Sequence, residues 1–155
     1  MPSSANTAVI REMQRDDYAV VRALWERTEN IGLNESDEEP AIESVLTRNA
    51  GLSAVAMNAE GRIVGALLCG HDGRRGYLHH LAVAPDYRGN GLGRQLVEFA
   101  LAGLQRAGIP KCNLFVLGDS HDAHTYWEHH GWRLPRWIVL QKRILACGSK
   151  DGGTC

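Results

Sequence analysis

A mixed α/β domain, in which antiparallel hairpins give way to a helix crossover, is the fold class that this chain predicts. Three observations predict it. Apolar, β-branched runs at 52–57, 62–70 and 77–83 follow one another across short turn-rich joints. A long amphipathic pattern then covers 92–107. A further apolar run follows at 112–117, beyond a Gly-Ile-Pro stop signal. With 155 residues the chain fits one domain with a substantial core and is too short for two comfortable ones.

The elements follow in order. Val9 to Met13 predicts a short strand. A helix starts from the Asp16-Asp17 cap, because Tyr18, Val21, Leu24, Trp25 and Thr28 share a face at helical spacing. Asn34 to Pro40 is acidic and loop-like, and a second helix runs from Pro40 to Asn49 with proline in its first turn. Leu52 to Met57 and Arg62 to Gly70 are strands of a hairpin around Asn58-Ala59-Glu60-Gly61. A second turn, His71 to Gly76, leads into the strand Tyr77 to Val83, which Pro85 stops. A glycine-containing loop enters the helix Leu92 to Ala107, with Leu92, Leu96, Val97, Ala100 and Leu104 on its apolar face. Cys112 to Leu117 is a strand, Asp122 to His130 a short helix closing on Gly131, and Trp137 to Arg143 a final strand. The small, polar ends read as tails, 1–8 and 146–155, around a domain at 9–145.

Bulk chemistry excludes several functions. A net charge of −1 and a pI near 6.6 leave no basic footprint for nucleic acid. The longest apolar run, Ile63 to Cys69, is far short of the roughly 20 residues that span a bilayer. The first seven residues lack the basic start and apolar stretch of a secretory signal. Four cysteines at 69, 112, 147 and 155 show no CxxC spacing, and read as free thiols of a cytoplasmic protein. His121, His124, His129 and His130 lack the ligand spacing of a zinc site, so no metal is expected.

The sharpest motif is Arg88-Gly89-Asn90-Gly91-Leu92-Gly93, between a strand and an amphipathic helix. Glycines let a backbone turn tightly and approach a ligand with no Cβ in the way. The first helical turn leaves main-chain N–H groups unpaired, at the positive end of the helix dipole. A phosphate or pyrophosphate fits such a place, and Arg88 and Arg94 add positive charge beside it. No GxxxxGK[ST] exists, and GxGxxG fails because Arg94 stands where the third glycine belongs. The form [QR]xxGx[GA] matches through Arg88, Gly91 and Gly93.

With that loop in Leu81 to Val97, and with the later segment FVLGDSHDAHTYWEHHGW, the chain resembles the GNAT superfamily of N-acetyltransferases over roughly Val9 to Arg143. Val116, Ala123, Trp127, Gly131 and Trp132 occupy the places of the second signature. The resemblance implies a mostly antiparallel central sheet with helices on both faces, and a V-shaped split between the strands at 77–83 and 112–117. It implies acetyl-CoA as cosubstrate. Pantetheine would lie along Leu81, Ala82 and Val83, and the pyrophosphate on the amides of Gly89, Asn90, Gly91, Leu92, Gly93 and Arg94. Ser120 and Trp127 fall at further cofactor-binding places. The Val83 N–H would serve as the oxyanion donor.

Two departures from the family pattern stand out. Ser120 replaces a frequent asparagine, and Trp127 replaces the tyrosine that protonates the leaving thiolate. Indole donates a hydrogen bond but is no usable acid. Tyr126 is adjacent and is the candidate in its place, though turned by about 100° on the helix and set in an inward stripe of Ala123, Tyr126, Trp127 and His130. For the base that takes the amine's proton, the candidates are His79, His80, Asp72, Glu29 and Glu35, with at most one of the two histidines facing the cleft. His80 is carried forward for that role. The expected activity is acetyl transfer to a primary amine, of a small molecule or a protein, by direct attack in a ternary complex. Against it stand a CoA-binding sensor without turnover and an interaction domain that keeps only the fold. Exposed sheet edges leave a homodimer open.

Overall fold

The computed structural model describes residues 7–116 and 118–145. The chain falls into two compact units, 1–115 and 116–155, each taken by itself.

Alternation along one central strand decides what each face of the sheet in the first unit covers. The elements are β1 (Ala8–Glu12), α1 (Tyr18–Glu26), α2 (Glu39–Arg48), β2 (Ala54–Asn58), β3 (Ile63–His71), β4 (Gly76–Val83), α3 (Leu92–Arg106) and β5 (Cys112–Leu114). The strands lie in the order β1-β2-β3-β4-β5, antiparallel except for the β4–β5 pair, which is parallel. A parallel neighbour needs a crossover, and α3 supplies it. Ala66 and Leu68 of β3 join Val55 and Ala82 against Val21, Leu24 and Trp25 of α1 and Ile42 of α2. Gly65 lies against α3, where an added Cβ would stand 3.1 Å from Leu96 Cδ1. At Gly76 an added Cβ would collide with Leu104, so α3 approaches the sheet as closely as glycine allows. Helices cover both faces, as the fold class requires.

The hairpin turn forms as its residues predict. Asn58 Oδ1 accepts from the N–H groups of Glu60 and Arg62, and Gly61 takes a φ of 77°. The entry to α1 differs from expectation. Asp17 makes no side-chain cap, and a 3-10 turn at Arg15–Asp17 precedes the helix. Its carboxylate instead accepts from Arg11 Nη1 at 2.7 Å, Arg11 Nη2 at 2.8 Å and the Gln14 N–H at 2.7 Å. One nearly buried carboxylate thus bolts the end of β1 to the start of α1.

Pairing between β4 and β5 runs only from Gly76↔Cys112 to Leu78↔Leu114, while β3 pairs with β4 as far as Val83. Among the described residues the upper half of β4 therefore has a strand on one side only. The strand expected at 112–117 stops at Leu114 because β4 changes register just beyond Leu78, and a parallel ladder cannot follow it. Leu117 lies outside the described residues, as do most of the expected tails at 1–8 and 146–155.

In the second unit α4 (His121–His129) forms where the short helix was expected. The final strand expected at 137–143 does not form among the described residues, where Trp137, Ile138 and Leu140 are 66%, 82% and 88% exposed. Strand backbone needs a ladder partner for its N–H and C=O groups, and no strand is described in this unit to supply one.

Asp17→Ala is expected to destabilise the protein by about 1–2 kcal/mol in urea titrations, allowing for solvent around Arg11. The Arg11 hydrogen bonds hold the Asp17 carboxyl below its ordinary 3.8 against the opposing effect of burial. A depressed folded pKa means that this contribution is complete above about pH 5 and fades as pH falls through the lower folded value. Wild type and variant should therefore converge in stability in acid.

Candidate functional site

The register change in β4 comes from one extra residue. Between the pairs Ala66↔Ala82 and Leu68↔His79, β3 contributes Leu67 alone and β4 contributes His80 and Leu81. His80 sits in the left-handed region with φ 57°. That conformation costs a non-glycine residue roughly 1–2 kcal/mol. It is held from three directions. The Trp25 indole N–H donates to the His80 carbonyl at 3.0 Å. The Trp25 ring meets the imidazole edge-on at 5.1 Å. His80 Nε2 lies 2.7 Å from Asp37 Oδ1, in a pair whose side chains are 17% and 6% exposed.

Strict alternation predicts that only one of His79 and His80 can face a given cleft. The bulge removes that restriction and brings the two ring centroids within 6.1 Å. His79 stacks on Phe115 at 5.5 Å, and Tyr77 stacks on the same ring at 6.2 Å. Burial, with the neighbouring His80 adding to it, pushes the His79 pKa down, while Asp37 pulls weakly the other way. The lowering favours the uncharged ring at His79.

Past the bulge, Leu81 is half-buried, Ala82 is in the core and Val83 pairs with Gly65. The Val83 carbonyl accepts from Arg88 Nε at 2.9 Å, and Arg88 Nη1 reaches Glu29 Oε1 at 2.5 Å. That ion pair draws the Glu29 carboxyl below the usual carboxylate range. Glu29, a candidate base, is thus spent on Arg88. Asp72, another, sits at the far end of β4 and builds the turn there, accepting from the N–H groups of Arg74 and Arg75 at 2.8 and 2.9 Å. Those backbone bonds hold its carboxyl low. Glu35 opens the 3-10 turn Glu35–Asp37.

The loop after β4 makes a 3-10 turn at Pro85–Tyr87 and enters α3 through glycines. Gly89 and Gly91 take φ of 78° and 79°, and a Cβ on either would meet nothing within 4 Å. Gly91 stands at the N-cap with no side-chain cap, and the first helical bond runs from Gln95 N–H to the Gly91 carbonyl at 3.0 Å. The amides of Leu92, Gly93 and Arg94 precede that bond. The Leu92 side chain is buried, Asn90 turns its amide onto the carbonyls of Tyr87 and Arg88, and Arg94 pairs with Glu98. Open space, left-handed glycines and uncapped amides suit a phosphate-bearing group.

The GNAT acetyltransferase family model matches residues 10–132. The chain belongs to that family. It is 38% identical over 137 residues to an acetyltransferase of Sodalis glossinidius, covering 88% of this chain and 95% of that protein. Among solved structures it is similar to a GNAT acetyltransferase of Staphylococcus aureus, with a TM-score of 0.72 and 20% identity over 84% of this chain and 86% of that one. It is also similar to AAC(6')-Iy, solved in complex with the bisubstrate analogue CoA-S-monomethyl-acetylneamine, with a TM-score of 0.68 and 19% identity over 89% and 99% of the two chains.

In the second unit of this acetyltransferase, Ser120 is buried at the N-cap of α4 and its carbonyl accepts from His124. The expected inward stripe is corrected. Ala123, His124 and Trp127 are half-buried, whereas Tyr126 and His130 are exposed, their rings 4.3 Å apart. Trp127 meets Trp132 edge-on at 5.4 Å because the chain turns back at Gly131. Partial burial still pushes the Tyr126 phenol up, which keeps it protonated.

Sequence reasoning missed Asp37, Trp25 and Phe115 as parts of this region. Asn34-x-x-Asp37 carried a legible signal, since a short polar residue followed three places later by a carboxylate marks a capping box. Its other oxygen, free to reach β4, carried none.

Trp25→Phe keeps the apolar bulk but strips the donor from the His80 carbonyl. The expected cost is about 1–2 kcal/mol in chemical denaturation. The largest amide shifts in a 1H–15N spectrum should fall on residues 79–82.

Proposed function

We propose that the protein moves the acetyl group of acetyl-CoA to a primary amine, on a small molecule or a protein, by direct attack in a ternary complex. The observation that carries this reading is the uncapped, glycine-lined start of α3, joined by one short turn to a bulged strand whose upper half lacks its β5 partner.

Bound acetyl-CoA supplies a thioester, whose acetyl carbon gains a bond to the amine nitrogen and loses its bond to sulfur. The amides from Gly89 to Arg94 take the pyrophosphate, aided by the helix dipole. Main-chain groups of Leu81, Ala82 and Val83 hold the pantetheine, and the Val83 N–H donates to the acyl oxygen as charge builds there. His80 takes the proton that the amine releases. Trp127 stands at the family's proton-donor place with no acidic proton, and Tyr126 beside it is the candidate donor to the departing sulfur on the resemblance of their segment. Ser120 and Trp127 are assigned to the cofactor on the resemblance of their segment alone. Among the described residues no helix is long and apolar enough to cross a membrane, which suits a cytoplasmic enzyme.

A second reading, an acyl-CoA sensor without turnover, is favoured by Trp127 at the tyrosine place. Calorimetry with CoA and a thiol-release assay over an amine panel separate the two. Acetyl transfer predicts CoA binding together with thiol release on at least one amine. Binding with no release would favour the sensor, and no binding would remove both. Gly91→Ala is expected to raise the KM for acetyl-CoA about tenfold, because an alanine resists the left-handed geometry that presents the amides. Its kcat should change much less.

A further inference from the structure

The structure assigns to Asp37 the positioning of His80 for proton transfer. This rests on the proposed role of His80 as base. Asp37 is 4% exposed and closes the 3-10 turn of the α1–α2 connection. Its two carboxylate oxygens are divided between two tasks. Oδ2 accepts from the Asn34 N–H at 3.0 Å, and Oδ1 lies 2.7 Å from His80 Nε2. The residue is fixed from behind as well, since its carbonyl accepts from Tyr18 Oη at 2.8 Å and Arg22 Nη1 at 3.0 Å. A carboxylate only accepts, so the imidazole must donate through Nε2. A neutral imidazole carries one N–H, and Nδ1 therefore keeps the lone pair.

That tautomer is the one the reaction requires if Nδ1 is the proton acceptor. The amine gives its proton to Nδ1, the nitrogen keeps the electron pair that forms the bond to the acetyl carbon, and the imidazolium so formed lies beside the Asp37 carboxylate. Nothing in this sequence needs Asp37 to change its own protonation. The left-handed backbone at His80 supports the assignment. Strained conformations persist where surrounding structure over-determines them, and they gather at functional sites. Trp25 fixes the backbone of the bulge, and Asp37 fixes the ring. His79 on β4 stands beside the His80 ring, and Tyr18 and Arg22 on α1 both donate to the Asp37 carbonyl, which leaves its carboxylate to His80 and the Asn34 N–H.

A purely structural Asp37 would serve the turn alone, and Asp37→Asn separates the two roles. The single amide oxygen of asparagine can still accept from the Asn34 N–H, which leaves its NH2 facing Nε2. The ring must then accept at Nε2 and carry its proton on Nδ1. Long-range 1H–15N spectra of the ligand-free protein should show the Nε2–H tautomer of His80 in wild type and the Nδ1–H tautomer in Asp37→Asn. An Nδ1–H tautomer in wild type overturns the assignment whether or not any variant folds, and so does an unchanged tautomer in the variant. In thiol release with a competent amine, Asp37→Asn should lower kcat about 100-fold, the scale of a general base, with the KM for acetyl-CoA unchanged. Added to His80→Gln it should cost nothing further. A separate loss in that background overturns the assignment. The spectra need no turnover. An inert enzyme with the expected tautomers would therefore count against the proposed function and not against the Asp37–His80 pairing.

Discussion

One extra residue in β4 is the constraint on which the rest of the first unit depends. Two residues opposite one break the alternation that an antiparallel pair otherwise enforces, and the break falls between the core residue Leu78 and the loop-facing Val83. Below it β4 is an ordinary interior strand with neighbours on both sides. Above it the parallel partner is lost, and among the described residues no ladder takes up the main-chain groups on that side. The conformational cost at His80 is met by Trp25, a fully buried side chain whose polar edge must find an acceptor anyway. Core packing and local distortion thus answer one another. The indole needs a carbonyl, and the bulge turns one toward it.

The start of α3 works by the opposite device. Here the chain withholds side chains. Gly89 and Gly91 in left-handed geometry and an N-cap without a capping group leave the first amides of a fifteen-residue helix uncommitted. A stable protein ordinarily satisfies such donors with Ser, Thr, Asp or Asn at the N-cap, at a gain of about 1 kcal/mol. Asn90 stands one place away but spends its amide on the carbonyls behind it. α3 tolerates the omission because Leu92, Leu96, Val97, Ala100 and Leu104 bury its inner face. The helix is held by packing, and its N-terminus is free for another use.

The regular elements were legible because each rests on a local periodicity. The face of α1, the hairpin around Asn58 and the apolar stripe of α3 follow from spacing alone, and the structure places them within one or two residues. The glycine loop was legible for the same reason, since its spacing is itself the signal. The bulge was not. His79-His80 reads as two ordinary strand residues, and only the register of β3 against β4 reveals that an extra position exists. Asp37 was hidden in an acidic run whose members look alike in sequence, although Glu38 is exposed and Asp37 nearly buried. Asp17 failed as a predicted cap because Arg11, six residues back, competes for the same carboxylate. The segment 137–143 has strand composition, but β structure needs a partner, which composition does not contain.

The α1–α2 connection is tied to β4 twice, and the two ties differ in kind. Near its start Glu29 pairs with Arg88, whose guanidinium also holds the Val83 carbonyl. Near its end Asp37 pairs with His80. The first pair has side chains 41% and 62% exposed, and an ion pair in that setting contributes about 0–1 kcal/mol. The second is mostly withdrawn from water, and leaving either partner unsatisfied would carry the larger penalty of a buried polar group. The connection is therefore anchored at Asp37 and only lightly held at Glu29. The end near α2 is thus tied to the bulge that carries the histidine, whereas the end just after α1 is tied only to the loop that follows β4.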